Sequence, residues 1–195
     1  MPTTGARSTS AAQLDFAAVR REFDLPTGFP PEVLAEAEIA AAGAADADPG
    51  RVDATAVELV TIDPPGSMDL DQAVGIVARG SGFRVHYAIA DLGAVVVPGG
   101  ALDAEVRRRG QTVYLPDGAV PLHPPMLSEH ASSLLPDGPR RAVLWTIDID
   151  ADGAVVATHV QRAVVVSRAR LDYAGVQAAV EAGRLHPAIA ALPEV

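Results

Sequence analysis

The feature that most constrains this chain is a change of hydrophobic period near residue 56. Upstream, Leu14, Phe16, Val19 and Phe23 recur at helical spacing. Pro30-Pro31 then opens a second helix, from Glu32 to about Ala42, because a first-turn N–H has no intrahelical acceptor to lose. Downstream the period drops to two. Phe83, Val85, Tyr87 and Ile89 alternate with Arg84, His86, Ala88 and Ala90, and Val143, Trp145, Ile147 and Ile149 repeat the pattern. Period two puts successive side chains on opposite faces, which is the signature of strands.

Around these two segments the rest falls into place. Residues 56–62 and 72–78 are short apolar strand candidates, and Gly80-Ser81-Gly82 turns the second into the alternating third. Asp152-Gly153 turns the fourth into a fifth that reaches Val166. Residues 101–109 and 171–182 read as helices. The expectation is an α+β fold, a mainly antiparallel sheet with flanking helices. Residues 1–50 are expected to be a helical segment ending in an Ala/Asp/Gly linker at 43–50, with 51–195 as the domain proper.

Composition enters as a set of exclusions. Hydrophobic residues make up 49% of 195, which is enough for a buried core. There is no cysteine, so disulfides, zinc–cysteine sites and cysteine nucleophiles are excluded, and a cytoplasmic location is expected. Residues 1–10 are polar, carry Arg7 and lead into no apolar stretch, so no signal peptide is expected. No apolar run approaches the ~18 residues that cross a bilayer. The formal net charge is −10, and all 15 basic residues are arginine. Nucleic-acid binders usually carry a basic face, so any RNA contact here must be local or assisted.

The segment richest in chemistry runs from Thr61 to Gln72. A strand ends at Asp63, a Pro64-Pro65-Gly66-Ser67 loop follows, and Asp69 and Asp71 lead into the next strand. Their i, i+2 spacing puts both carboxylates on one face of an extended segment, and the loop can fold Asp63 back beside them. Three close carboxylates repel unless protons or a cation compensate. A hard divalent cation with oxygen ligands answers that, and it can activate water for phosphodiester hydrolysis. A polar turn whose aspartates cap backbone amides is the alternative, and spacing alone leaves both open. The glycine and glutamate offsets of an EF-hand are absent.

The string TIDPPGSMDLDQAV, residues 61–74, resembles the aspartate signature of the RNB domain, the catalytic module of ribonucleases II and R. The likeness continues in order through VHYAIAD at 85–91, ALD at 101–103, Arg107 to Gly110, TVYLPD at 112–117, VPL at 120–122 with Leu127-Ser128, SSL at 132–134 and SRARLDY at 167–173. It covers residues 57–176. The resemblance implies hydrolysis of single-stranded RNA, one nucleotide at a time from the 3′ end, with magnesium (manganese as a substitute). By matching position, Asp63, Asp69 and Asp71 would be metal-site carboxylates, with Asp69 and Asp71 catalytic and Asp71 the more critical. Tyr114 would stack on a base near the RNA 3′ end, an interaction worth roughly 1–3 kcal/mol per base; a half-buried core tyrosine is its alternative. A helix-face arginine run at Arg107, Arg108 and Arg109 reads as solvated. The five histidines show no metal-ligand spacing.

Two departures qualify the resemblance. The family signature usually has a fourth aspartate directly after the third, where this chain has Gln72. The family's catalytic domain also continues further, and its later half supplies an arginine for the scissile phosphate. The chain therefore reads as the N-terminal half of such a domain, weak or inactive by itself. The rival reading is an inactive half-domain that binds RNA or a protein. An uncovered half-domain surface is expected to be apolar and to favour self-association.

Overall fold

A computed structural model of the chain describes residues 16–44 and 48–191. Leu14, the first ten residues and the last four residues lie outside the described part. Two helices come first, α1 (Ala17–Glu22) and α2 (Pro31–Gly43), the latter opened by its proline. Seven strands then form one sheet: β1 (Val52–Asp53), β2 (Leu59–Ile62), β3 (Gln72–Arg79), β4 (Gly82–Ala90), β7 (Arg140–Ile149), β8 (Val155–Val165) and β9 (Ser167–Leu171). Their order is β1-β8-β7-β4-β3-β2-β9. The β2–β3, β3–β4, β4–β7 and β7–β8 pairs are antiparallel, and β1–β8 and β2–β9 are parallel. A separate hairpin of β5 (Val113–Leu115) and β6 (Gly118–Val120) stands beside the sheet. Helix α3 (Ala101–Arg109) precedes it and α4 (Tyr173–Glu181) follows β9. This is the expected mixed, mainly antiparallel architecture. No helix among the described residues is long and apolar enough to cross a membrane.

The sheet hides its small residues. The main core packs Leu59, Leu70, Leu134 and Leu135 onto Ala73, Ala88, Ala142, Leu144, Ala163 and Val165. Those sheet residues belong to the rows that alternate with the large apolar ones. Small side chains let irregular backbone lie close to the sheet: at Gly75 a Cβ would fall 2.0 Å from the Glu58 carbonyl oxygen that crosses over it. The opposite face carries Phe83, Val85, Tyr87 and Ile89 paired with Ile149, Ile147, Trp145 and Val143. It is covered only at one end, where Val60 and Val74 pack with Leu171, Val176, Ala188 and Ile189. Elsewhere it is half-exposed, and Ile89 and Val160 are 38% and 43% accessible.

Several expected boundaries shift for local reasons. The strand expected over 56–62 begins at Leu59, since Ala54 to Val57 makes a turn closed by Val57 N–H donating to the Ala54 carbonyl, 3.0 Å. Leu171 belongs to β9, and the following helix starts only after Asp172, whose carboxylate caps it by accepting from Gly175 N–H at 2.8 Å. Helix α2 has a buried face of its own. Val33 and Ala37 pack against Leu102 of α3 and Leu127.

Candidate active site

The aspartate segment crosses the sheet between two strand ends. Asp63 N–H donates to the Leu171 carbonyl at 3.1 Å, extending the β2–β9 pairing, and Ala90 N–H donates to the Asp71 carbonyl at 2.9 Å, extending β3–β4. Between them the chain turns at Pro64 to Ser67, with Gly66 at φ 87°, where only glycine is comfortable. Ser133 holds the far side of the turn. Its hydroxyl donates to the Met68 carbonyl at 2.6 Å and accepts from Leu70 N–H at 3.0 Å. Leu134 N–H donates to the Leu70 carbonyl at 2.8 Å. Arg170 donates to the Ser67 carbonyl at 3.1 Å. Leu70 is thereby driven fully into the core, and Asp69 and Asp71 on either side of it point outward.

Asp69 and Asp71 line one cavity of about 340 Å³ together with Tyr114, Thr112, His123 and Glu129. Tyr114 is 72% exposed, yet its hydroxyl donates to the Asp69 carboxylate at 3.3 Å. Burial first, and then the charge of Asp69, push its phenol above the usual tyrosine range. Asp63 does not line the cavity, but it lies within electrostatic reach: its carboxyl is raised by burial and then by the negative charges of Asp71 and Asp69. The structure thus brings Asp69, Asp71 and Tyr114 to one place, with Asp63 behind them. Among the described residues no three His, Cys, Asp or Glu side chains close into a ready metal cage. The donors are all oxygen, mutually repelling and without an arginine in the cavity lining, and that chemistry fits a hard divalent cation in kind.

Gln72 does not join this group. It lies on the opposite face of β3, lining a shallow cleft with Val60, Val74 and Tyr87, and its amide oxygen accepts a hydrogen bond from the Tyr87 hydroxyl. The arginine run is the expected solvated face at Arg107 and Arg108 but not at Arg109. Arg107 pairs with Asp103 at 2.9 Å, and Arg108 and Arg109 both pair with Glu105. Arg109 is 2% accessible, donates to the Pro121 carbonyl at 2.9 Å and lies 3.7 Å over the Phe29 ring. Arg109 thereby ties α3 to its neighbours and is closed to phosphate, while Arg107 and Arg108 pair within the helix and keep most of their side chains in solvent.

Sequence reasoning missed three parts of the site. The β5–β6 hairpin that carries Tyr114 has three-residue strands, too short to show a period. The wall opposite it is a widened helical turn, Met126–Ala131, with Ser132 N–H donating to the Leu127 carbonyl five residues back at 2.9 Å; no simple pattern announces such a turn. His123 lines the cavity and had no spacing partner to mark it.

Comparison with known proteins decides the family. The RNB domain matches residues 51–191. The chain belongs to the RNB domain family. Ribonuclease R of Acidithiobacillus ferrooxidans is 36% identical over 154 residues, covering 78% of this chain and 35% of that protein. The inactive exonuclease DIS3L2 of Arabidopsis thaliana is 38% identical over 118 residues, covering 59% of this chain and 11% of that protein. Among solved structures, Mycoplasma genitalium RNase R in complex with ribose methylated single-stranded RNA superimposes with a TM-score of 0.77 at 26% identity, over 85% of this chain and 26% of that one. The chain spans about a third or less of the length of these relatives.

Proposed function

We propose that this RNB chain is the aspartate-bearing half of a 3′ to 5′ hydrolytic exoribonuclease that acts on single-stranded RNA with magnesium (or manganese) and is weak or inactive when isolated. The observation that carries the reading is that Asp69, Asp71 and an exposed Tyr114 ring line one cavity on an RNB fold. Tyr114 would offer its ring to a base, since stacking tolerates any sequence, while its bond to Asp69 holds the ring beside the carboxylates. Asp63, Asp69 and Asp71 would hold the cation, and Asp69 and Asp71 flank the place where the scissile phosphate must sit. The bound cation would supply Lewis-acid polarisation of that phosphate and a water of lowered pKa. A cavity lined by carboxylates and no arginine repels phosphate without it. Positive groups that stabilise the developing charge would come from sequence outside this chain, and loss of one such donor costs about 10²–10³ in rate. A cytoplasmic setting belongs to the same proposal, supported by the absence of cysteine.

A second reading, an inactive module that binds RNA or a protein, is favoured by one observation: Gln72, at the position of the family's usual fourth aspartate, faces Tyr87 and not the cavity. One experiment separates the two. The chain is incubated with 5′-labelled single-stranded RNA and magnesium, alone and joined to an RNB C-terminal half, as wild type and as Asp71→Asn. The exoribonuclease reading expects digestion by the joined wild type, none with EDTA, and none by joined Asp71→Asn despite near-normal RNA binding. A joined wild type that binds RNA without shortening it establishes the inactive module. Digestion by joined Asp71→Asn removes Asp71 from its role, and rapid processive digestion by the isolated chain overturns its dependence on a second half.

A further inference from the structure

His123 has no hydrogen-bond partner in the protein among the described residues, though its ring is not sealed from the cavity. It is half-buried and lines the same cavity as Asp69, Asp71 and Tyr114, and burial lowers its pKa below the ordinary imidazole value, which favours the neutral ring. None of the hydrogen bonds among the described residues reaches either ring nitrogen. The ring nitrogens are not among the fully buried, unpartnered atoms, so they stay open to whatever fills the cavity. The surroundings hold the residue in place. Leu122 N–H donates to the Thr112 hydroxyl at 3.1 Å, tying the backbone before His123 to the strand that presents Tyr114, and Pro124 and Pro125 stiffen the chain after it. Across the cavity, the widened Met126–Ala131 turn brings Ser128, Glu129 and Ser132 to the same space. Helical turns of this kind occur frequently at functional sites.

Resting on the reading that the cavity takes the end of an RNA strand, we propose that His123 is a specificity-determining residue that hydrogen-bonds the ribose or base edge of the bound nucleotide. A neutral imidazole offers one donor and one acceptor, which suits a hydroxyl or a base edge. The phosphate is a poorer partner, since neutral His123 brings it no charge and the carboxylates repel it.

The test uses the full chain with magnesium, titrated with uridine 5′-monophosphate and with a short oligouridylate, in wild type, His123→Leu and His123→Asn. The imidazole proton resonances are followed by NMR, the His123 signal being the one that His123→Leu removes. The expected result is a saturable shift of that signal and about 3- to 10-fold weaker binding by His123→Leu, the loss of one hydrogen bond, partly restored in His123→Asn. Thermal stability should not fall in His123→Leu, which a merely structural histidine would not predict. Repetition with deoxyuridine 5′-monophosphate assigns the partner: the penalty vanishes if His123 binds the 2′-hydroxyl and persists if it binds the base. Equal affinity of His123→Leu and wild type, with a silent His123 signal, overturns the inference. Wild type that binds neither probe overturns the nucleotide-binding reading itself, and this inference with it.

Discussion

Glu105 is buried and Asp63 half-buried, and the protein treats the two acids in opposite ways. Glu105 accepts from Arg108 at 2.7 and 2.8 Å and from Arg109 at 2.8 Å, and these bonds, those of Arg108 first, hold its carboxyl down to about 2. Among the described residues Asp63 pairs with no cation. Burial, Asp71 and Asp69 raise it. The first arrangement is finished and closed, and the second is left in electrostatic debt that only a proton or a bound cation settles. The contrast shows where folding consumed the charge of this acidic chain and where it left charge for a ligand.

The largest effect expected from breaking this contrast is at Glu105. Glu105→Gln keeps the shape but strands the buried Arg109, and should destabilise the fold by about 3–5 kcal/mol in urea denaturation. A loss below 1 kcal/mol would mean the pairing is incidental. The acid limb of stability follows the same group. Its folded pKa lies below the ordinary value, so its contribution is complete above pH about 4.5 and is lost as pH falls towards about 2; Glu105→Gln should flatten that part of the profile.

Ser133→Ala comes next. It removes the two hydrogen bonds that the Ser133 hydroxyl makes to the aspartate turn and leaves the buried Leu70 N–H without its acceptor, at a cost of about 1–3 kcal/mol. Stabilisation by magnesium in a thermal melt should shrink with it, and an unchanged magnesium response would show that the turn needs no such pin. The smallest effect is at Asp63. Asp63→Asn relieves repulsion in the metal-free protein, so the midpoint in EDTA should rise by on the order of 1–2 °C, while the gain on adding magnesium falls. A variant that melts lower in EDTA would show that Asp63 is not under that repulsion.

The sequence made the sheet legible where alternation was long. The segment that became β4 was placed within a residue because its alternation holds phase over eight residues, whereas β7 starts three residues before Val143, at Arg140, where arginines hide the period. It was less informative about which face would be covered, since rows such as Ala88/Ala90 and Ala142/Leu144 carry less apolar bulk than the rows they alternate with, and yet they form the core. Small side chains win there because Leu70, Leu134 and Leu135 come down from loops onto the sheet, a tertiary fact with no local signal. At the site, Asp69 and Asp71 were legible from an i, i+2 spacing, and Tyr114 from a resemblance. Ser133 and His123 were not, because each matters only through a neighbour more than forty residues away or through a cavity that exists only once the chain is folded.

The pairing of Tyr87 with Trp145 across β4 and β7 has an optical consequence. Trp145 is the single tryptophan of the chain, and it stands on the half-covered face beside a tyrosine whose hydroxyl holds Gln72, the residue next to Asp71. Its emission colour is therefore a native gauge of how wet that face is. Whatever comes to lie on the sheet will turn the fluorescence bluer without any dye having been attached.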